Sequence, residues 1–472
     1  MPPPSIPPSW VQDAIFYQIF PERFRNGDPR NDPPDVRPWG TPPDPETCCG
    51  GDLAGIGEKF PYLLELGIDA IYLNPIFAAP SSHRYDTHDY FQIDPRLGDL
   101  EDFRQLLRRA HQHGVRIILD GVFNHCGRGF FAFQDVLRNG PASPYRDWFY
   151  IKQFPLNAHE EHLPAGYLGW WNLRTLPKLN TANPDVRAYL FSVARYWLEQ
   201  GIDGWRLDVP NEIDDDTFWR EFRAVVKETN PDAYIVGEIW NDGSRWLQGD
   251  QFDGITHYEL RTLLFEWLIE GKYRSLAFAH RIQALLERYR PEMLHAQLNI
   301  LGSHDTVRLL TAAQGDLRTV RLLWLFLMTW PGAPCIYYGD EVGMVGSGDP
   351  DCRRCFPWDE GLWNHGLWTW LQRLIALRKE RPALRRGATR ILLSHAHHNL
   401  YAHGRGEGDE AVVLVLNASD QPYTVDVPLE QMGIVPGTIF ADLLRGGTYL
   451  IRNGRIEGLS LPARSGTILG AQ

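Results

Sequence analysis

The stretch "GWRLDVPNE", residues 204–212, runs strand-like residues into Arg206, Asp208 and Glu212. Successive side chains on a strand alternate sides, so Arg206 and Asp208 point the same way. Burying one such charge without a partner costs several kcal/mol. The fold must therefore gather polar groups at the end of this strand. Seven further apolar runs end in the same manner: "AIFYQIFPERF" (14–24), "AIYLNPIF" (70–77), "VRIILDGVFNH" (115–125), "AYIVGEIW" (233–240), "FDGITHYEL" (252–260), "AQLNILGSHD" (296–305) and "APCIYYGDE" (333–341). Between them lie amphipathic stretches such as "LEDFRQLLRRAHQHG" (100–114) and "DVRAYLFSVARYWLEQG" (185–201), each closing on Gly, a common helix stop. Near-continuous hydrophobic strands alternating with helices predict a parallel sheet covered on both faces. Eight of them predict an α/β protein built on a closed (β/α)8 TIM barrel, whose active-site residues project from the C-terminal strand ends. Here those ends carry His125, Asp208, Glu238 and Asp305.

The third connection, residues 126–180, is unusually long, rich in Trp, Pro and Gly, and without regular periodicity. It predicts a small protruding subdomain that walls a cleft. The barrel then takes residues 1–125 and 181–382, with a last helix near 362–380. Beyond it the period changes from helical to alternating. "EAVVLVLNAS", "YTVDVPL" and the hairpin signal "YLIRNGRIEGL" predict an antiparallel β-sandwich over 383–472.

At 472 residues the chain exceeds one compact core, in line with this division. A net charge of −12 without a basic stripe argues against nucleic acid or an anionic membrane as partner. Seventeen Trp and 19 Tyr supply either large cores or stacking platforms for flat, hydroxyl-bearing ligands such as sugars. Six Cys do not make a disulfide scaffold in a chain this long. Cys48 and Cys49 are adjacent and Cys352-x-x-Cys355 lies in a loop-like stretch, but a zinc site needs two such pairs brought together. The start, "MPPPSIPPSW", has neither the charged nor the apolar region of a signal peptide. "LLWLFLMTWPGAPCIYY" (322–338) is split by Pro331, Gly332 and Pro334 and reads as a buried helix followed by a buried strand. A soluble, cytoplasmic protein is expected.

Three carboxylates at different strand ends of one barrel have a specific use. Cleaving a glycosidic bond with retention takes one carboxylate as nucleophile and a protonated one as acid/base, roughly 5–5.5 Å apart. Asp208 suits the nucleophile, with Arg206 pairing with it and lowering its pKa. Glu238 suits the acid/base, beside apolar Ile239 and Trp240 that would raise its pKa. Asp305, with His125 and His304 near it, suits sugar hydroxyls and an oxocarbenium-like state.

"DGVFNH", "GWRLDVPNE", "GEIW" and "ILGSHD" together resemble the four ordered signature regions of the α-amylase family, glycoside hydrolase family 13. "LPKLN" (176–180) resembles a fifth region in the form typical of cyclomaltodextrinases, neopullulanases and maltogenic amylases, and "GDPDCRR" (348–354) is similar to that subgroup's loop after strand eight. The resemblance spans essentially the whole chain. It implies Asp208 as nucleophile, Glu238 as acid/base and Asp305 as transition-state stabiliser. It places Arg206, His125 and His304 around the central sugar, Tyr85 stacked on it, Trp240 on the leaving-group side, and Asp349 and Arg353 on the next sugar out. For the outer residues two readings stay open: Tyr85 can be core, and Arg353 can pair with Asp86.

Two departures from the subgroup stand out. Members usually carry an N-terminal sandwich domain of ~100 residues, whereas here the first strand begins by residue 14. A monomer or weak dimer is therefore expected. The subgroup's "VANE" is "VPNE" here, and Pro210 stiffens the chain before Glu212. Both put cyclic substrates and transglycosylation in question, not the chemistry.

"NGDPRND" (26–32) packs Asn26, Asp28, Asn31 and Asp32 into one loop, with "GGDL" (50–53) downstream. Such oxygen ligands suit a structural Ca2+, although Asn, Asp, Gly and Pro also make solvated turns without an ion. Similar loops in the subgroup bind calcium through side chains matching those four residues and Asp52, and through the carbonyl matching Gly50. The expected substrates are α-1,4-linked glucans (cyclodextrins, maltooligosaccharides, pullulan or starch). The alternatives are an oligo-α-1,6-glucosidase or sucrose/trehalose-acting relative, which usually shows "QPDLN", and a non-catalytic scaffold, which loses the carboxylates this chain keeps.

Overall fold

Eight parallel strands form one sheet in the computed structural model, which describes residues 6–160, 162–435 and 437–471. They are β1 (Phe16–Ile19), β2 (Ala70–Leu73), β3 (Arg116–Gly121), β4 (Gly204–Leu207), β5 (Tyr234–Gly237), β6 (Gly254–Ile255), β7 (Leu298–Ile300) and β8 (Ala333–Tyr337). Their order in space is β6-β5-β4-β3-β2-β1-β8-β7. A parallel bridge from Thr256, just past β6, to Leu298 joins the two edges into a barrel. Each of the eight apolar runs supplies one strand. Alternate residues serve two cores: Phe16, Tyr72, Ile118, Val236 and Leu298 fill the barrel, while Tyr17, Ile71, Ile117, Trp205 and Ile235 pack outward under the helices.

The helices begin and end where local chemistry dictates. In α1 (Leu100–Gln112), Asp99 and Asp102 form a reciprocal capping box. The insertion contains α2 (Phe131–Asn139) and short 3-10 turns, tied back to the barrel by the bridge His125–Lys178 and closed on itself by Phe149–Leu179. Helix α3 (Pro184–Gln200) starts on the Asn183 cap with Pro184 in its first turn and stops at left-handed Gly201. Helix α4 (Tyr258–Leu268) follows β6. Helix α5 (Leu317–Thr329) and β8 realise the apolar run 322–338. Residues 322–329 of α5 are buried all round, because the helix lies between the barrel and the C-terminal sheet. Arg378, on α6 (His365–Glu380), and Arg405 are both fully buried and donate to carbonyls at the end of α5, Met328 O at 2.9 Å and Thr329 O at 2.6 Å. These carbonyls have no partners within the helix.

The C-terminal region contains β9 (Thr389–His395), β10 (Leu400–Arg405), β11 (Val412–Asn417), β12 (Tyr423–Pro428), β13 (Ile439–Asp442), β14 (Thr448–Leu450), β15 (Arg455–Leu461) and β16 (Ser465–Ala471). A six-stranded sheet, β9-β10-β11-β16-β13-β14, faces the two-stranded ribbon β12-β15 across a shared apolar core. The hairpin expected from "YLIRNGRIEGL" is corrected. Asn453 and Gly454 do turn at positive φ, and Arg452 bridges Arg455. Beyond that one bridge the flanks part, β14 pairing with β13 and β15 with β12. Buried Ile451 and Ile456 on either side enter the core between the two sheets, so the turn links sheets instead of pairing its own arms.

Candidate active site

Register brings the first charges together. Asp120 on β3 lies directly beside Arg206 on β4. The Arg206 guanidinium, 2% exposed, donates through Nη1 to Asp120 Oδ1 at 2.9 Å and Asp208 Oδ1 at 3.1 Å, and through Nη2 meets Glu238 Oε1 at 2.8 Å. One cation thus holds three carboxylates on neighbouring strand ends. Asp208 Oδ2 is buried and accepts no hydrogen bond within the protein. Glu238 Oε2 accepts the Val209 N–H at 3.0 Å. Val209 adopts φ +36, a left-handed conformation that β-branched residues avoid, so local strain aims this N–H at Glu238.

Two expectations are corrected here. Asp208 is pushed well above the ordinary carboxylate range by burial and by the Glu238 charge, and Arg206 opposes without reversing this. The reason is that Arg206 is shared with Asp120 and Glu238 rather than dedicated to Asp208. The carboxylate of Glu238 does not sit in an apolar niche: it meets Arg206 and the Val209 N–H, while Trp240 turns away to stack on Tyr258 at 3.7 Å.

A second network fixes the aromatic wall. Gln18 donates one amide hydrogen to Asn74 Oδ1 at 3.0 Å and the other to His304 Nδ1 at 2.8 Å. Burial and nearby arginines hold His304 well below its ordinary pKa, so its one acceptor is used and Nε2 carries the proton. That nitrogen faces the Tyr85 hydroxyl and Asp305 Oδ2, 3.1 Å away. Tyr85 passes its own proton to Asp120 Oδ2 at 2.9 Å and stacks on His304 with planes 7° apart. His125, lowered to about 3 by burial, is likewise neutral, with Asn124 on Nδ1 and Nε2 donating to Tyr85 O.

Asp305, raised to about 7 by burial and the Glu238 charge, contacts Arg353 Nη2 at 3.2 Å. Arg353 also pairs with Asp349 at 3.0 Å and donates to His304 O. It does not pair with Asp86, which takes the Ser81 hydroxyl. Tyr85 is half-buried at the pocket wall, not core. Trp240 stands 46% exposed at the rim. Glu212 is exposed as the last residue of a 3-10 turn, and its carbonyl accepts Lys178 Nζ at 2.8 Å.

The chain matches the family described as "Alpha amylase, catalytic domain" over residues 18–372 and "Neopullulanase-like, C-terminal domain" over 392–469. It is 48% identical to a cyclomaltodextrinase of Geobacillus thermopakistaniensis, across 90% of this chain and 72% of that protein. It is 46% identical to neopullulanase 2 of Thermoactinomyces vulgaris, across 98% and 78%. Among solved structures, a cyclic alpha-maltosyl-(1→6)-maltose hydrolase from Arthrobacter globiformis superposes with a TM-score of 0.90 at 40% identity, covering 99% of this chain and all of that one. The chain belongs to the alpha-amylase family.

Several side chains that build the site of this alpha-amylase-family hydrolase escaped the sequence reading. Asp120 is the one acidic residue inside the apolar run "VRIILDG", and that misfit was a usable signal. Gln18 and Asn74 similarly interrupt β1 and follow β2. Trp170 carried no signal beyond its composition. It lies in the insertion and stacks on His125 at 5.0 Å with planes 8° apart.

The 26–52 loop fits a calcium ion in part. Asn26 Oδ1 and Asn31 Oδ1 are buried oxygens without a partner, and both Asp32 oxygens lie on the Asn26 amide. Gly50, at φ +79, leaves room that a Cβ would close, 2.1 Å from Asp32 Oδ1. Two expected ligands are otherwise occupied. Asp28 forks onto Arg30, and Asp52 accepts the Gly27, Asp28 and Gly55 amides as a helix cap.

Proposed function

We propose that this hydrolase cleaves α-1,4-glucosidic bonds of cyclodextrins and short maltooligosaccharides with retention, through a covalent glycosyl-enzyme. The observation that carries the reading is the single Arg206 guanidinium holding one oxygen each of Asp208 and Glu238 while Asp208 Oδ2 stays free. That oxygen attacks the anomeric carbon as the bond to the leaving oxygen breaks, and Glu238 supplies the proton; water then enters with Glu238 as base. Four carboxylates, Asp120, Asp208, Glu238 and Asp305, share two arginines, Arg206 and Arg353. Burial and neighbouring carboxylates raise Asp208 and Asp305, and the two interact. Asp305, His125 and His304 face the sugar, Tyr85 lies flat on it, and Asp349 and Arg353 meet the next unit.

The name of the Arthrobacter relative supports a second activity on α-1,6 bonds beside the first. We further propose a protein active as a monomer or weak dimer, which light scattering at micromolar concentration tests. Six unbridged cysteines support a reducing, cytoplasmic location, checked by cell fractionation. Calcium, held by Asn26, Asn31, Asp32 and the Gly50 carbonyl with Asp28 and Asp52 beside them, would brace the loop and take no part in the chemistry.

Side-by-side digestion of β-cyclodextrin, pullulan and soluble starch tests the substrate, with NMR of fresh products for stereochemistry. Fast cleavage of cyclodextrin to α-configured maltose and glucose is expected, with slower attack on polymer. β-anomers would refute the mechanism, and starch cleaved much faster than cyclodextrin would refute the substrate class.

A further inference from the structure

Trp171 is the most exposed tryptophan among the described residues, at 75%, and its indole lies flat on Trp170 at 4.7 Å with planes 15° apart. Trp170 in turn lies flat on His125, which is fully buried at the floor of the pocket. Three parallel rings therefore lead from the pocket into solvent, and the outermost ring offers its far face to water.

The backbone is bent to keep it there. Trp171 has φ +50 and ψ +27, and Asn172 follows at φ +60. Consecutive left-handed residues with side chains are unfavourable, and glycine would relieve the strain. The turn is pinned at both ends: Trp170 N donates to Leu176 O at 2.9 Å, and Gly169 bridges Pro177. A Cβ on Gly169 would fall 2.1 Å from Leu173 O, so the chain cannot relax there. Packing on Trp170 covers one indole face only. A large apolar ring left in water on a strained backbone gains little for the folded protein alone, so its benefit comes from what arrives out of solvent.

We propose that the outer face of Trp171 is a stacking platform for a glucose unit beyond the central sugar, so that this chain binds longer or cyclic α-glucans more tightly than short ones. The proposal rests on the glucan reading above. The apolar C–H face of a pyranose suits a flat indole, and a parallel ladder sets that face two ring steps out from His125. A trisaccharide reaches the platform less well than a seven-unit ring or chain. Trp171 selects by length and takes no part in bond cleavage.

The test uses Trp171→Gly in the full-length enzyme, and the same change in a Glu238→Gln background for binding without turnover. Calorimetry with β-cyclodextrin is expected to show about tenfold weaker binding, equivalent to ~1.4 kcal/mol. The rise in KM should be larger for maltoheptaose than for maltotriose. The melting temperature should hold or rise, because the strained φ is relieved. Unchanged cyclodextrin affinity would overturn the proposal alone, as would a lowered melting temperature with equal losses on every substrate, the mark of a packing residue. A parent enzyme that neither binds nor cleaves any glucan would overturn the substrate reading, and this proposal with it.

Discussion

Asp208 and Glu238 share a guanidinium yet differ in their second oxygens, one unpartnered and the other held by the Val209 amide. Asp208→Asn and Glu238→Gln should each lower turnover by at least about a thousandfold, the scale expected when an essential group of a catalytic unit is removed. Folding should survive. Ionised Asp208 is disfavoured by burial, so the neutral amide removes a destabilising charge, and the melting temperature of Asp208→Asn should hold or rise at pH 7.5. Retained activity in either variant would refute the roles. Most of this constellation was legible from strand-end carboxylates and the same-side spacing of Arg206 and Asp208. How the charges balance was not, because sharing Arg206 depends on register between β3 and β4, and spacing along one strand cannot report it.

The loop around Asn26 and Gly50 gives the element scale its clearest test. If calcium fills the oxygens left without partners on Asn26 and Asn31, it stabilises the folded form alone, by about 2.7 kcal/mol at a hundredfold excess over its dissociation constant. A chelator should lower the melting temperature, and kcat at a temperature well below melting should be unaffected. Indifference to chelator and to added calcium, with no metal by elemental analysis, would retire the site. Elements themselves were largely readable: all eight barrel strands and the Gly stop of α3 follow from periodicity and capping chemistry. The Asn453-Gly454 turn was readable as a turn but not as a link between sheets. Competing partners, β13 and β12, lie far along the chain and leave no mark on the local pattern.

At the scale of the molecule, buried acids tie stability to pH. Glu341, fully buried, accepts the hydroxyls of Tyr17 and Tyr62, and burial still pushes it up to about 7; Asp340 is raised to about 6 despite Arg308. A carboxyl whose folded pKa exceeds the unfolded value binds its proton more tightly when folded. The stability this gives is complete below the unfolded pKa near 4 and is lost as pH rises toward 7, at roughly 1.4 kcal/mol per pH unit per group. Histidines that burial holds below their ordinary pKa, His125 and His304 among them, act in the opposite sense, so between pH 5.5 and 7.5 Glu341→Gln should lose less stability with rising pH than the parent in denaturant titrations. An unchanged slope in that variant would show that Glu341 carries no such linkage. The barrel seam has a kinetic counterpart. Seven of the eight strand junctions are ladders, but β6 contributes two residues and the ring closes through one bridge, Thr256–Leu298, with Gln297 and Asn299 side chains bonding Ile255 N and His257 beside it. The seam has the fewest ladder pairs, so amide hydrogen exchange is expected to be faster there than at the other junctions. Tyr258, whose ring stacks on Trp240, begins the helix that follows it. The proposed leaving-group platform is thus mounted on the least cooperative joint of the ring.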